Sequence, residues 1–552
     1  MVRMSQRVWI ALLVGAMALW FLPLQTYRLF NPDEGRYAEI PREMVASGDW
    51  VTPRLDGLKY FEKPPLQYWA TAVAYKAFGD HEWTARLWVA LSGFLGLLIT
   101  AWIGARLYGA QSGVLAALVQ AGSLLYLALS RVSTLDMGLT VTLELALAGL
   151  LLLVPLPTGD ARAPTRGAER LGSVLLAVGV ALAFLSKGLV GILIPGAVAA
   201  LYMLLRRDWG LPWRARPWWT LAALALIAAP WIWLVEQRNP GFMRFFFVHE
   251  QFDRFLTRVH HRYQPDWYFI PVLLGGFMPW TPLLPAIVRR CWRDIRAGDA
   301  AALLLAIWAI FCFAFFSFSQ SKLIPYILPM FPALALLAGR TLGTLEQPAI
   351  RRALAISAAF GAALAGLVLA LLCWPAPLNW FVIPPGPTLQ LFIVALLLAS
   401  LAAAAAAGLV IRRGPLPAVA LAALATAVLL GILLPAAGQL PRQRELQQLV
   451  AAASGRLHAG TAVYCVDQYE QSVAFYLRRT CTLAGYRGEL DFGLNQEPAK
   501  WIADLGGFAS RWRTETDALA LIRPESYVEL QRMGLPMHVI YTAPTLVAVV
   551  RQ

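Results

Sequence analysis

Long apolar runs separated by short polar or basic segments dominate the chain up to about residue 436. A bilayer-spanning helix needs roughly 20 such residues, and about thirteen candidate spans meet the requirement. They lie near 8–27, 83–106, 112–130, 134–154, 171–186, 188–205, 217–235, 267–288, 301–318, 323–340, 353–374, 388–411 and 415–436. Ser186 and Lys187 interrupt the run around 171–205. The first run follows Arg3 and Arg7 with no small-residue cleavage site after it, so it reads as an uncleaved membrane helix. Beyond about residue 441 the pattern becomes that of a water-soluble domain. Residues 461–466, 518–522, 537–541 and 546–550 read as strands and 471–479 as a helix. The pattern therefore predicts a polytopic α-helical membrane domain over 1–440 and a small α/β domain over 441–552.

Composition agrees. The 552 residues are 59% hydrophobic and 14% charged, whereas soluble chains average about 45–50% and about 25%. Disordered, collagen-like, coiled-coil and small disulfide-rich classes are excluded. Lys and Arg outnumber Asp and Glu by 47 to 32, a net charge of +15. In a soluble protein that excess would suggest nucleic acid; in a membrane protein it marks cytoplasmic loops. With the N-terminus inside, the even-numbered connections carry Arg162, Arg166 and Arg170, then Arg206, Arg207, Arg214 and Arg216, then Arg289, Arg290, Arg293 and Arg296. Arg340, Arg351 and Arg352, and finally Arg412 and Arg413, continue the alternation. Thirteen spans then put the C-terminal domain outside.

The outer loops differ in kind. Residues 28–82 and 236–266 are long and carry dense charges of both signs, which marks them as the places for chemistry. In the first, Asn31-Pro32-Asp33-Glu34 reads as the N-cap and first turn of a helix ending at Ser47 before Gly48. A second helix, from Pro64-Pro65 to Gly79, is too short to span and rich in aromatics, which suits the membrane interface. Of five cysteines, Cys465 and Cys481 share the outer domain. They either pair, as an oxidising compartment permits, or remain buried thiols.

Ionisable groups at membrane level are costly and mark function or pairing. Asp136 sits at the outer end of the fourth predicted span, Lys187 at the outer end of the fifth and Lys322 at the outer start of the tenth. Asp33, Arg36, Glu62, Lys63, His249 and Arg254 lie in outer loops, so the topology brings all nine to one membrane face. Lys63, Lys187, Arg254, Arg36 and Lys322 suit a lipid phosphate. The carboxylates suit a metal, a sugar or an oxocarbenium-like transition state, and Glu62 with His249 offers donors for Zn or Mn. HExxH, P-loop and GxSxG motifs are absent.

Four segments, in order, carry a resemblance. These are Asn31–Glu39 (NPDEGRYAE), Tyr60–Pro65 (YFEKPP), His249–Phe255 (HEQFDRF) and Ser321–Tyr326 (SKLIPY). Together they resemble the 4-amino-4-deoxy-L-arabinose lipid A transferases. These are C-type integral membrane glycosyltransferases that use polyprenyl phosphate donors and are related to protein O-mannosyltransferases. The resemblance implies an enzyme of the bacterial inner membrane acting on its periplasmic face. The donor would be undecaprenyl phosphate-linked aminoarabinose and the acceptor a lipid A phosphate, with resistance to polymyxin and other cationic peptides as the consequence. It further implies Asp33 and Asp136 as catalytic acids and Glu62 with His249 as a metal site. Lys63 and Arg254 would bind phosphate, with Arg36, Tyr60, Lys187 and Tyr326 around the substrate. The rival expectations are a related transferase acting on protein or another glycan, and a lipid flippase or transporter.

Overall fold

The computed structural model describes residues 14–15, 17–156, 164–253, 263–373, 387–458 and 460–551. It divides into two compact units. One comprises Met1–Thr26 and Arg86–Ala436; the other comprises Tyr27–Ala85 and Ala437–Gln552. The first predicted outer loop thus belongs with the C-terminal tail, across a separation in sequence of some 350 residues, and not with the helices it interrupts.

The first unit is helical. Nine of its described helices are long and apolar enough to cross a bilayer, and the pair Asp266–Gly276 and Thr281–Arg296, bent by 106°, makes ten if counted as one span. The thirteen predicted spans are not all reached by length and composition. Part of the first, residues 8–13 and 16, lies outside the described residues. The third breaks at Ser123, which is extended (ψ 120°) between Ala110–Gly122 and Leu124–Leu129. The sixth is the 17-residue helix Val190–Arg206.

Leu135–Leu153 is the most enclosed of the long helices. It packs against Arg166–Lys187 through small residues: a Cβ on Gly179 would stand 2.6 Å from the Ala146 nitrogen. Close backbone approach of this kind supplies helix association where lipid removes the hydrophobic drive. Its one deep acid, Glu144, accepts from Thr100 Oγ1 at 2.6 Å and Gln120 Nε2 at 3.3 Å, joining three helices.

The second unit contains the helix Asp33–Ser47, ended by Gly48 in the left-handed region (φ 72°), and the helix Leu66–Phe78, ended by Gly79. Both follow the sequence expectation; the capping does not. Asn31 does not cap its own helix. Its Oδ1 accepts from the Ser472 nitrogen and Oγ, both at 3.1 Å, so it caps the first turn of the tail helix Gln471–Leu477. Glu34 instead receives the Phe30 nitrogen at 2.9 Å. The two helices meet so closely that a Cβ on Gly35 would lie 2.5 Å from the Ser472 nitrogen.

A two-stranded ribbon, β1 (Arg54–Leu55) and β2 (Leu58–Lys59), lies in the loop part. The tail forms a six-stranded sheet from β3 (Ala462–Val466), β4 (Thr482–Ala484), β5 (Trp501–Ile502), β6 (Ala518–Ile522), β7 (His538–Thr542) and β8 (Val547–Arg551). The order is β5-β4-β3-β6-β8-β7. The first four in this order are parallel; β8 runs antiparallel to both β6 and β7. The central strands are nearly all apolar, as burial on both faces requires, and Phe508 and Trp512 fill one side. Sequence periodicity located four of these strands; the short β4 and β5 escaped it. Cys465 and Cys481 are joined as a disulfide, fastening β3 to the entry of β4.

Candidate active site

The expected residues form two sets, one in each unit. In the helical unit Asp136 occupies the first turn of Leu135–Leu153 and Lys187 the last turn of Arg166–Lys187. An acid at a helix N-terminus and a base at a C-terminus each complement the local dipole. Lys187 Nζ meets Asp136 Oδ1 at 2.5 Å, both side chains largely buried, and stands 4.2 Å above the ring of Tyr326. Three of the expected residues therefore form one contact group. The Thr134 hydroxyl, at the N-cap of the Asp136 helix, is buried with no hydrogen-bond partner among the described residues.

Lys322 stands apart from that group's contacts. Its Nζ donates to the Gln264 carbonyl at 2.9 Å and lies 3.5 Å from Asp266 Oδ1. His249 lies in the wide helical turn Arg244–Asp253, against the ring of Phe245 at 5.4 Å. Phe247, two residues earlier, stacks on Phe184 at 6.4 Å, one turn before Lys187. Arg254 lies outside the described residues.

In the second unit Asp33, with half its side chain exposed, accepts from Arg36 Nη1 at 3.0 Å. Arg36 is buried and pairs through Nη2 with Glu489, which also accepts from Gln471 Nε2 at 2.6 Å. Burial pushes the Glu489 carboxyl up, against the pull of Arg36. Arg36 also lies 5.8 Å from the ring centroid of Tyr37, which stacks on Tyr68 at 6.3 Å. Tyr60 and Tyr68 are fully enclosed, and their hydroxyls have no hydrogen-bond partner among the described residues. Burial raises both phenols well above their usual range, so they stay neutral donors. Lys63 is buried; its Nζ donates to the Glu62 carbonyl at 2.6 Å and lies 3.9 Å from the Glu62 carboxylate.

Sequence reasoning missed Glu489, Gln471, Tyr37 and Tyr68. Tyr37 sat inside a quoted motif. The two tail residues carry no local signal, since their relevance comes only from Arg36.

Glu62 and His249, the pair expected to hold a metal, lie in different units. Among the described residues no group of three or more His, Cys, Asp or Glu side chains is arranged to hold an ion. A protein-bound zinc site takes three or four such ligands, so Glu62 and His249 would need further donors to hold one.

Comparison with known proteins is consistent along the whole chain. Residues 449–551 match the family model for the aminoarabinose transferase C-terminal domain, and residues 6–246 that for dolichyl-phosphate-mannose-protein mannosyltransferase. The undecaprenyl phosphate-alpha-4-amino-4-deoxy-L-arabinose arabinosyl transferase of Pseudomonas aeruginosa (strain UCBPP-PA14) is 33% identical over 544 residues, covering 96% of each chain. The protein of that name from Edwardsiella ictaluri is 34% identical over 330 residues, 60% of this chain and 58% of its own. The crystal structure of ArnT from Cupriavidus metallidurans bound to undecaprenyl phosphate superposes with a TM-score of 0.89 at 35% identity, covering 99% of this chain and 98% of that one. With identity and fold both sustained from end to end, this multi-span membrane protein belongs to the family of undecaprenyl phosphate-aminoarabinose arabinosyl transferases.

Proposed function

We propose that the chain transfers 4-amino-4-deoxy-L-arabinose from undecaprenyl phosphate to a phosphate of lipid A, lowering the affinity of the cell surface for polymyxin and related cationic peptides. The observation that carries this reading is the end-to-end likeness to transferases named for that donor. The chemistry is an inverting displacement. An oxygen of the acceptor phosphate forms a bond to the anomeric carbon as the bond to the undecaprenyl phosphate oxygen breaks, and the leaving phosphate keeps the electron pair. The acceptor is already anionic near neutral pH, so no strong base is needed.

The residues divide the remaining work. Asp33, half-exposed and held by Arg36, is the carboxylate suited to the sugar's ammonium group and to positive charge developing at the ring. Lys63, with Arg254, suits the leaving phosphate, a charge-stabilising role. Lys187, fixed by Asp136 and facing Tyr326, presents a cation whose direction is set before substrate arrives. Neutral Tyr60 is a donor without an acceptor among the described residues. Glu62 and His249 remain the pair from which a divalent ion would be recruited with the help of substrate oxygens.

The orientation follows from charge and redox chemistry. The arginine-rich connections belong in the cytoplasm. The Cys465–Cys481 disulfide belongs in an oxidising compartment, here the periplasm.

The test is purified protein with undecaprenyl phosphate-aminoarabinose and lipid A, followed by mass analysis of the lipid A, with and without chelator. Asp33→Asn keeps the shape and removes the charge. It should lower transfer by roughly 10²-fold or more, the scale of a lost transition-state stabiliser, with unchanged folding. Full turnover by the Asn variant would remove Asp33 from the mechanism, and a sugar appearing on protein in place of lipid A would reassign the acceptor. Unchanged activity with chelator would end the metal role.

A further inference from the structure

A polar cavity lies in the helical unit, among residues the transfer reaction does not use. It measures about 280 Å³ and is lined by Arg289, Arg290 and Arg293 of the helix Leu284–Arg296, by Thr341 and Thr344, and by Glu346. Three arginines and one acid thus line it. Arg290 is committed: its Nε donates to Asp294 at 2.9 and 3.0 Å, and its Nη1 to Thr344 Oγ1 at 2.9 Å. Asp294 also faces Arg340 at 3.5 Å, so its charge is already shared by two cations. Arg289 and Arg293 stand one helical turn apart, and neither forms an ion pair among the described residues. Like charges at this spacing repel mildly and gain from a shared anion.

The surroundings identify the kind of anion. The same helix exposes Val288 and Trp292, side by side with the two arginines. It continues from the apolar segment Asp266–Gly276 through the 106° bend, and the flanking helices Ala300–Phe318 and Gln347–Cys373 are of bilayer-spanning character. A soluble anion gains nothing from an apolar border; a phospholipid presents phosphate and hydrocarbon together. Basic pockets between membrane helices are general receptors for acidic lipid head groups, and the paired forks of arginine suit phosphate oxygens.

We propose that this cavity is a binding site for the phosphate of an anionic phospholipid. Arg289 and Arg293 hold the head group, and the acyl chains lie along Val288 and Trp292. The site is separate from the residues assigned to sugar transfer, so its loss should leave the turnover of detergent-solubilised enzyme unchanged.

The experiment is native mass spectrometry of the full chain released from detergent containing phosphatidylglycerol, cardiolipin or phosphatidylcholine. Wild type should retain the two acidic lipids over phosphatidylcholine. Arg289→Gln/Arg293→Gln should bind them roughly tenfold or more weakly, the scale of two juxtamembrane charges. Arg289→Lys/Arg293→Lys, which keeps the charge, should restore most of the binding, separating loss of charge from loss of fold. Equal retention of acidic lipid by wild type and the Gln variant overturns the proposal. So does displacement of bound phosphatidylglycerol by excess inorganic phosphate, which would mean that a free anion suffices.

Discussion

The two units solve the same problem, holding charged groups away from water, by different means. In the helical unit Asp136 and Lys187 sit at opposite-polarity helix ends and neutralise one another directly. Each is placed by its own helix, so the pair needs only two helices in contact. In the loop–tail unit charged and polar groups are held by distant chain segments. Arg36 depends on Glu489, Asn31 on Ser472, and Asp56 receives the Cys481 nitrogen at 2.6 Å. Such a site exists only after the tail has folded onto the loop. The lesson is that the helical pair is local architecture, whereas the loop cluster is a product of closure.

The largest effect should come from breaking the helical pair alone. Lys187→Met leaves Asp136 buried and unpartnered, at a cost of about 3–5 kcal/mol. Asp136→Leu combined with it should recover most of that loss in thermal denaturation. A coupling no larger than that of a surface pair would show that the two charges are effectively solvated.

Next, Cys465→Ser should destabilise the loop–tail unit by about 3 kcal/mol, since the disulfide closes a short loop within it. Differential proteolysis should show the tail opening while the helical unit stays protected; loss of both together would make the units one cooperative body.

Acidity gives a third test. Glu39, Glu43 and Asp56 are buried carboxyls whose affinity for protons is raised, chiefly by burial. Glu39 is held bidentately by Arg42, at 2.7 and 2.6 Å. Glu43, which accepts the Gly57 nitrogen at 2.9 Å, is pushed up to about 8 by burial and by Glu39. The folded state therefore binds more protons than the unfolded chain between the ordinary carboxyl range and about 8. The stabilisation is fully present at low pH and is lost as pH rises through about 8. The Tm of the loop–tail unit should fall across that window, and Glu43→Gln should flatten the fall; an unchanged profile would locate the titration elsewhere.

The smallest effect should be that of Asn31→Ala, about 1 kcal/mol for a lost helix cap. Its signature is position: hydrogen exchange should quicken at Gln471–Leu477, in the tail, and not at Asp33–Ser47. Faster exchange confined to the latter would return Asn31 to its own helix.

Much of this was legible in the chain. The stops at Gly48 and Gly79 were readable because Gly ends a helix through its own backbone freedom, and four tail strands were readable from period and composition. Asp136 and Lys187 were readable as ionisable groups at the ends of apolar runs. Their mutual contact was not, because nothing in a linear pattern says which two of many helices touch. Asn31 shows the same limit at one residue: the cap chemistry was correct, and the helix it serves lies about 440 residues away.

Hydrophobic length and loop charge determined by themselves that this is a polytopic membrane protein, because burial in lipid and charge bias are properties of composition along the chain; the glycosyltransferase kind came from the resemblance that four short motifs carry. The tertiary structure alone decided the partners: Lys187 for Asp136, Glu489 for Arg36, the tail for the first outer loop. Electrostatic pairing and backbone capping act over a few ångströms of space, and the chain does not encode that proximity in any local pattern.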